Sequence, residues 1–460
     1  MRNKLRRPDG RRTVMGVALA TALATGLAAC GGSGTSGQAA GTGQTTGHIT
    51  LTVQNGDGGE TGLLGGYAKL NSAFERLHPN VTIKFVTKNF TDLVNTLKLQ
   101  LSGPNPPDLT QVNQGYSSMG ALVAAHLLRP LDGYASRYGW AARQSAGLLA
   151  IDGRMSPTGK AMGSGTLWGV AASGAWVGLW ENKKVLASLG LPQPTTFGAF
   201  EHDLAVARQH GVVPIQYGAS DGGESIWLFE DILMAQTSPQ EVEALIEARP
   251  GASFDSAAVV DAAQTLQQWA KAGYFTPGFA AYNNTDAFSK FAAGNGLFDV
   301  NGSFNTGVAK GAYVNELTML PMPSAAGASA SPAAIATGDI AWAIPAASKH
   351  AAIAAEYLDY ITSQQAANVL IAAGQVPATS SPNQLAFARA SKVAGSSYDA
   401  LAQWIRIMTG GVPVPYMDWS TPTFYNTLSA AVTELASDKL TPQAFAARLE
   451  GDYGAFVRHG

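Results

Sequence analysis

The chain has 460 residues, of which 13% are charged, and it contains a single cysteine. This length exceeds one compact core and predicts two domains. A lone cysteine excludes an internal disulfide and any metal site built on several thiolates, and the formal net charge of −2, more negative without the basic N-terminus, argues against a nucleic-acid partner.

The N-terminus has the three parts of a secretory signal. Residues 1–13 are basic, residues 14–29 are apolar and small, and the segment ends in Leu-Ala-Ala followed by Cys30. The apolar run is shorter than the roughly 20 residues of a membrane span. The Leu-Ala-Ala-Cys ending is similar to the lipobox of bacterial lipoproteins. This resemblance implies a signal peptide over 1–29, a lipid on Cys30 and a location on the outer face of the bacterial cytoplasmic membrane.

Residues 30–48 are almost entirely Gly, Ser, Thr, Ala and Gln. Such a composition offers no large apolar side chain to bury and no charge to pair. It predicts a flexible tether between the N-terminal signal and the folded part of the chain.

The next residues predict a β-α-β-α-β order. The expected strands cover 49–54, 81–85 and 109–112, where apolar residues alternate or cluster. The expected helices carry apolar stripes at Tyr67, Leu70, Phe74 and Leu77 and at Leu93, Val94, Leu97 and Leu101. Thr91 is the expected N-cap of the second helix. This alternation predicts an α/β domain with a largely parallel sheet.

In such a sheet, ligands lie beyond the carboxyl ends of the strands. The corner after the first strand holds Asn55, Asp57 and Glu60 among glycines, and Asn113 and Gln114 follow the third strand. Small residues let a ligand approach the backbone, and carboxylates accept hydrogen bonds from hydroxyl groups. These five residues are therefore the first candidate ligand contacts.

Other motifs give weaker evidence for a hydrolase, a dinucleotide site or a metal site. Residues 218–222 fit the nucleophile elbow around Ser220, but the histidines that follow, His350 and His459, are poorly placed for a triad. The turn over 56–62 lacks the third glycine of a dinucleotide motif, and no histidine spacing predicts a metal site. A glycosidase stays open, because paired catalytic carboxylates are recognised by their separation in space.

Longer blocks point to a family. They are "FERLHPNVTIKF", "LLRPLD", "LWGVAASGAWVGLWENKKVLASLGL", "FAAGNGLFDVNGSFN" and "GDIAWAIPAASKHAAIAAEYLDYITSQQAA". In this order they resemble the family 1 extracellular solute-binding proteins, the sugar-binding lipoproteins of ABC importers that include the maltodextrin-binding proteins. The chain departs from the family pattern at Glu181, where tyrosine is usual, and at Phe197, where tryptophan is usual.

The resemblance implies an α/β fold of two discontinuous lobes, of the type II periplasmic-binding-protein class, with the ligand cleft between them. The implied lobes are 49–171 with 314–377, and 172–313 with 378–460. The chain would cross between lobes near Ala172, Val314 and Ala378, and these crossings would act as hinges.

The implied ligand is a di- or oligosaccharide, since aromatic faces stack on sugar rings and polar side chains bind their hydroxyls. Phe304 matches a ring-stacking tryptophan of the family, and Tyr425 matches a second stacking aromatic. The full set of expected ligand contacts is Asn55, Asp57, Glu60, Asn113, Gln114, Trp176, Asp221, Trp227, Phe304, Asp339, Asp418, Trp419 and Tyr425.

We therefore expect a monomeric binding protein without catalytic residues, metal or cofactor. Its partners would be a carbohydrate, the transmembrane subunits of an ABC permease, and the membrane through Cys30. The alternatives are a secreted hydrolase or glycosidase, a binding protein for a solute such as a glycerol phosphodiester, and a purely structural surface lipoprotein.

Overall fold

The computed structural model describes residues 47–308, 311–327 and 331–459. The expected signal peptide over 1–29, Cys30 and most of the tether over 30–48 lie outside these described residues. Within them, no helix combines the length and the apolar character needed to cross a bilayer.

Strands and helices alternate along the described chain. The strands are β1 (Ile49–Asn55), β2 (Val81–Thr87), β3 (Leu109–Val112), β4 (Arg154–Met155), β5 (Thr166–Leu167), β6 (Gly174–Asn182), β7 (Ile215–Gln216), β8 (Phe298–Gly302), β9 (Leu317–Leu320), β10 (Ala333–Gly338), β11 (Ala341–Ala343) and β12 (Val412–Val414). The helices are α1 (Thr61–Leu77), α2 (Phe90–Leu101), α3 (Ala121–Ala124), α4 (Asp132–Tyr138), α5 (Ala146–Gly153), α6 (Lys183–Ser188), α7 (Phe197–Gln209), α8 (Gly223–Gln236), α9 (Pro239–Ile246), α10 (Ala257–Lys271), α11 (Asn284–Ala292), α12 (Ala351–Ile361), α13 (Gln364–Ala372), α14 (Asn383–Ala390), α15 (Gly395–Gly410), α16 (Phe424–Ala436) and α17 (Pro442–His459).

The first sheet has the strand order β11-β3-β1-β2. β1 is parallel to both neighbours, and only β11 at the edge runs antiparallel. The predicted β-α-β-α-β start is confirmed, with two local corrections. Asn89 rather than Thr91 caps α2, because its side chain accepts the Asp92 N–H, and Leu77 is exposed at the end of α1 rather than part of its buried face. We call this sheet and the helices on it the first lobe.

The second sheet has the order β12-β10-β6-β8-β7, and β9 also pairs with β6. β6 is its centre and is buried at every position. Antiparallel pairing dominates around β6, while β7 with β8 and β10 with β12 are parallel. The helices α7, α8, α10, α16 and α17 contribute to one apolar cluster against it. We call this sheet and its helices the second lobe.

The chain passes between the sheets in three adjacent segments, 170–174, 338–342 and 376–378. Backbone hydrogen bonds join them in pairs. They are Asp339 N to Ser173 O at 3.0 Å, Gly174 N to Val376 O at 2.9 Å, Ala378 N to Ala172 O at 3.0 Å and Trp342 N to Val170 O at 2.9 Å. The segment 170–174 is therefore bonded to both of the others, and the three crossings form one hydrogen-bonded unit.

The expected crossing near Val314 is wrong. β9 and β10 both pair with β6 and keep the chain in the second lobe until Gly338, and β11 then pairs with β3. The crossing therefore lies about one strand pair later, at Gly338–Ala341.

Helix α8 of the second lobe carries three buried carboxyl groups, Glu224, Glu230 and Asp231. Glu224 Oε2 accepts the Gly218 N–H at 2.8 Å, and Glu230 Oε2 accepts the Met417 N–H at 2.8 Å. Neither oxygen of Asp231 has a hydrogen-bond partner among the described residues. Burial raises the pKa of all three well above the ordinary range, because an ionised carboxylate loses its hydration in a protein core.

Asp231→Asn is expected to remove part of the pH dependence of stability. The folded state keeps the Asp231 proton after the unfolded chain has lost it, so the wild type loses stability as the pH rises above about 4, by up to about 1.4 kcal/mol per unit for this one group. The variant does not titrate there. Its Tm should rise relative to wild type in calorimetry as the pH increases above about 4.

The control is Asp261→Asn, at an exposed position of α10. This variant should follow the wild-type Tm at every pH. Parallel curves for wild type and Asp231→Asn would contradict the assignment of a retained proton to Asp231.

Candidate ligand-binding cleft

The corner between β1 and α1 turns its acidic side chain inward. The turn is tight, because a Cβ on Gly58 would lie 2.8 Å from the Lys88 carbonyl. Asp57 is only 1% exposed, and its Oδ2 accepts a hydrogen bond of 3.0 Å from Gln111 Nε2. Gln111 Oε1 accepts one of 2.6 Å from Gly56 N. Gln111, from β3, thus holds both the turn and its carboxylate.

Asp57 meets two other acids at this corner. Carboxylate oxygens of Asp57, Glu60 and Asp339 all lie within 4.8 Å of one another. Burial, and then the charge of Asp339, raises the pKa of Asp57 and Glu60 well above the usual range, and burial raises the pKa of Asp339 to about 6. We call these three residues the acid cluster. The sequence-predicted residues Asp57, Glu60 and Asp339 are therefore brought together.

The acid cluster is tied to the crossings between the lobes. Ser173 Oγ donates to Asp339 Oδ2 at 3.1 Å, and Gln114 Nε2 donates to the Asp339 carbonyl at 2.9 Å. One residue earlier, Gly338 N donates to Asp152 Oδ1 at 2.6 Å. Burial raises the pKa of Asp152 to about 8, so this carboxyl holds the crossing largely in its neutral form near neutral pH.

The loop 415–421 of the second lobe faces this corner. A Cβ on Gly115, just after β3, would lie 2.7 Å from Trp419 Cγ, so the indole rests against the first-lobe backbone. Burial raises the pKa of Asp418 to about 7. Burial, and then the charges of Asp339 and Asp418, raises the pKa of the Tyr416 hydroxyl. Tyr416 therefore lies between acids of the two lobes.

Further along the second lobe, aromatic side chains continue from Asp418. Burial, and then the charges of Asp418 and Asp221, raises the pKa of Tyr425 to about 12, and the Tyr425 hydroxyl donates to the Asp221 carbonyl. Next to Asp221, the rings of Trp227 and Phe304 meet edge to face with centroids 5.9 Å apart. We call Tyr416, Asp418, Tyr425, Asp221, Trp227 and Phe304 the aromatic strip.

Three expected contacts are not kept in the candidate site. Trp176 is fully buried in β6, and its Nε1 donates to the Ala400 carbonyl at 3.0 Å. An indole with its N–H bonded and no exposed surface has no face for a ligand, so we remove Trp176 from the candidate contacts. Asn55 is also fully buried, and Asn113 is half-buried with its carbonyl bonded to Met119 N.

The structure adds residues that sequence reasoning missed, namely Gln111, Asp152, Ser173 and Tyr416. Tyr416 could have been proposed from its place two residues before Asp418. The other three act through contacts with chain segments far away in the sequence, and no local pattern marks them.

The possible nucleophile Ser220 is exposed, and its N–H donates to the Tyr282 carbonyl. No histidine forms a hydrogen bond with it in the described part of the chain. The elbow-like turn instead continues into the aromatic strip at Asp221.

A second contact joins the lobes at the C-terminal helix. The ring of Phe456 on α17 lies 4.8 Å from that of Tyr116, just after β3. Tyr116 Oη accepts a hydrogen bond of 3.3 Å from Met162 N, and a Cβ on the neighbouring Gly163 would lie 3.2 Å from Glu247 Oε1 of the second lobe. The lobes therefore touch at several places besides the crossings, among them Trp419, Phe456 and Glu247, and Thr306 Oγ1 donates to the Gly374 carbonyl at 3.2 Å.

Comparison with known proteins identifies the class to which this architecture belongs. The chain belongs to the bacterial extracellular solute-binding protein family, whose sequence profile matches residues 58–368. The family resemblance seen in the sequence is thereby confirmed.

Individual proteins agree with this assignment. A glucose-binding protein, GlcS of Saccharolobus solfataricus, is 28% identical over 148 residues, which are 32% of this chain and 26% of that protein. The chain thus matches about a quarter of the length of that relative.

Two solved structures share the fold. A chitin oligosaccharide binding protein has a TM-score of 0.74 at 17% identity, covering 89% of this chain and 99% of that one. The GacH receptor of Streptomyces glaucescens, solved unliganded and with acarbose and an acarbose homolog, has a TM-score of 0.70 at 18% identity and covers 89% and 98%. These likenesses confirm the predicted two-lobed α/β fold of the periplasmic-binding-protein type.

Phe456→Ala is expected to loosen the contact between the lobes. An aromatic pair contributes about 0.5–1.5 kcal/mol beyond its buried area, so the ratio of separated to touching lobes should rise about two- to tenfold. Small-angle X-ray scattering should show a larger radius of gyration for the variant.

Val457→Ala is the control, since Val457 is the next residue of α17 and is 44% exposed. Its scattering should equal that of wild type. A Phe456→Ala curve that also matches wild type would show that the Tyr116–Phe456 contact does not hold the lobes together.

Proposed function

We propose that this protein is the substrate-binding component of an ABC importer and that it captures a carbohydrate between its lobes. The observation that supports this most is the position of Tyr416 and Asp418, from the second lobe, close to the acid cluster and the three crossings. Carboxylates suit the hydroxyl groups of a sugar, and ring faces suit its C–H surface. The named relatives are a glucose-binding protein and receptors of chitin oligosaccharides and acarbose.

The proposed lobes are 49–171 with 341–377, and 174–338 with 378–459, which moves the second predicted crossing to the position that the sheets support. The ligand contacts that we keep are Asp57, Glu60, Gln114, Asp221, Trp227, Phe304, Asp339, Asp418, Trp419 and Tyr425, and we add Tyr416. Bending at the crossings would open the cleft, and contacts at Trp419 and Phe456 would form when it closes.

A phosphodiester ligand fits the cleft less well. The acid cluster forms no ion pair with Lys, Arg or His among the described residues, and basic groups are what a phosphate requires. A hydrolase based on Ser220 lacks a hydrogen-bonded base in the described residues. We therefore infer binding without chemical change, by a protein that acts as a monomer and delivers its ligand to the permease.

A sugar panel tests this function. Glucose, maltose, cellobiose, chitobiose and raffinose would be offered in equilibrium dialysis, and we expect saturable binding of at least one, with a matching rise in Tm by ligand linkage. Mass spectrometry of the recovered sugar should show it unmodified.

Two results would count against the proposal. If the sugar is cleaved by wild type and by a Ser220→Ala variant alike, the protein is a glycosidase. If the variant no longer cleaves it, the protein is a serine hydrolase. No binding across the panel, with binding of glycerophosphodiesters, would place the protein in another ligand class.

Lipid attachment at Cys30 is part of the same proposal, because a receptor held on the membrane surface stays near its permease. Cys30→Ser should leave sugar affinity unchanged and release the protein from the membrane fraction. Fractionation with metabolic lipid labelling measures retention, and Ser36→Ala, in the same tether, serves as the control that stays bound. A variant that loses sugar affinity would show that the N-terminus is part of the binding unit.

A further inference from the structure

The acid cluster brings three carboxyl groups together, and no basic side chain of the described residues forms an ion pair with it. We propose that the solute bears a protonated amine, held by the carboxylates of Asp57, Glu60 and Asp339, so that the natural ligand is an amino sugar rather than a neutral one. This inference rests on the proposed function and names the substrate class of the same cleft.

The spacing of the three carboxylates suits an ammonium group. A primary ammonium has three N–H donors, and charge-assisted N–H···O bonds are about 2.8 Å long, which places three tetrahedrally arranged acceptors about 4.6 Å apart. One oxygen from each carboxyl of the acid cluster lies within 4.8 Å of the other two. The cluster is therefore compact enough for one ammonium group to reach all three side chains.

An unpartnered polar atom of the cluster points to a missing donor. Asp57 is 1% exposed, and Gln111 bonds only its Oδ2, which leaves Oδ1 buried without a partner in the described residues. Buried polar atoms nearly always have partners, so Asp57 Oδ1 is placed to accept a hydrogen bond from a donor that a ligand supplies.

The charge balance points the same way. Some acids elsewhere in this protein are paired with arginine, as in Asp359 with Arg143 and Glu434 with Arg448. No basic side chain of the described residues forms an ion pair with the acid cluster. The facing loop adds another acid, Asp418. A bound ammonium would supply the positive charge that these carboxylates lack.

A divalent metal ion could bind the same three carboxylates and is the alternative occupant of the acid cluster. Calcium takes six to eight oxygen ligands. Two groups that contact the cluster are donors, since Gln111 Nε2 and Ser173 Oγ direct N–H and O–H groups onto Asp57 and Asp339. Donors complete the environment of carboxylates that bind an amine, whereas a metal shell would need further acceptors. The geometry therefore favours the amine.

The experiment compares matched sugars on the purified full-length chain. Glucosamine, galactosamine, mannosamine and the disaccharide of glucosamine would each be titrated beside the N-acetylated and the hydroxyl counterpart, and calcium chloride would be titrated alone. We expect at least one amine to bind about tenfold or more tighter than both counterparts. Titration in buffers of different ionisation enthalpy should show proton release for the amine alone, because binding holds the carboxylates ionised.

Two matched variants locate the site. Glu60→Gln keeps the shape of a half-buried side chain and should reduce the preference for the amine over its hydroxyl counterpart to about threefold or less. Glu356→Gln makes the same chemical change at an exposed position of α12 in the first lobe and should keep the full preference. Unchanged Tm values would show that both variants are folded, and the proton release of wild type tests the amine without any substitution.

Several results would overturn the inference. Equal affinity for amine and hydroxyl sugars, or binding of neutral sugars alone, would refute the amine and leave carbohydrate binding intact. Calcium binding that Glu60→Gln abolishes, with no amine bound, would assign the cluster to a metal. Binding of no sugar of either kind would remove the proposed function and the amine together.

Discussion

The three hydrogen-bonded crossings are the constraint on which the rest of the molecule depends. Because segments 170–174, 338–342 and 376–378 bond to one another, the two sheets share a short three-stranded joint rather than separate linkers. The joint also positions the acidic residues of the cleft. Asp339 lies within it, Ser173 and Gln114 bond to Asp339, and Asp57 and Glu60 reach it from the β1 corner. Any bending of the joint therefore acts directly on the acidic wall of the cleft.

Close approach of backbones makes this joint possible. A Cβ on Gly338 would lie 2.1 Å from Ala171 Cβ and 2.3 Å from Asp152 Oδ2, so only glycine fits between the two segments. The Asp152 carboxyl accepts a hydrogen bond from the Gly338 N–H at this position. A neutral, raised-pKa carboxyl is suited to this place, since it can donate as well as accept a hydrogen bond.

Local sequence patterns predicted the first lobe well, because each element there is marked by alternation, helical spacing or a cap. The acids Asp57 and Glu60 were found for the same reason, as they follow a clear strand in a glycine-rich corner. Residues that depend on the other lobe were not found. Trp176 is a tryptophan, like the residues that stack on sugar rings. It is nevertheless buried, because β6 is the central strand of its sheet and is covered on both faces. The residues next to Trp176 in the sequence do not indicate this burial.

The misplaced crossing has a similar cause. Val314 lies just before two strands, β9 and β10, that pair with the distant β6. The sequence of residues 314–338 does not indicate which of the two sheets these strands join, because a short apolar strand can pair in either sheet. The lipid anchor is inferred from the sequence around Cys30 alone, because these residues lie outside the described structure.

The buried carboxyls of α8 have one more consequence. A core that holds protons takes them up as it folds, so folding is driven harder where protons are abundant. The free energy of unfolding of the second lobe therefore decreases as the surrounding solution becomes less acidic, and the protons held by α8 link the stability of the whole lobe to the pH.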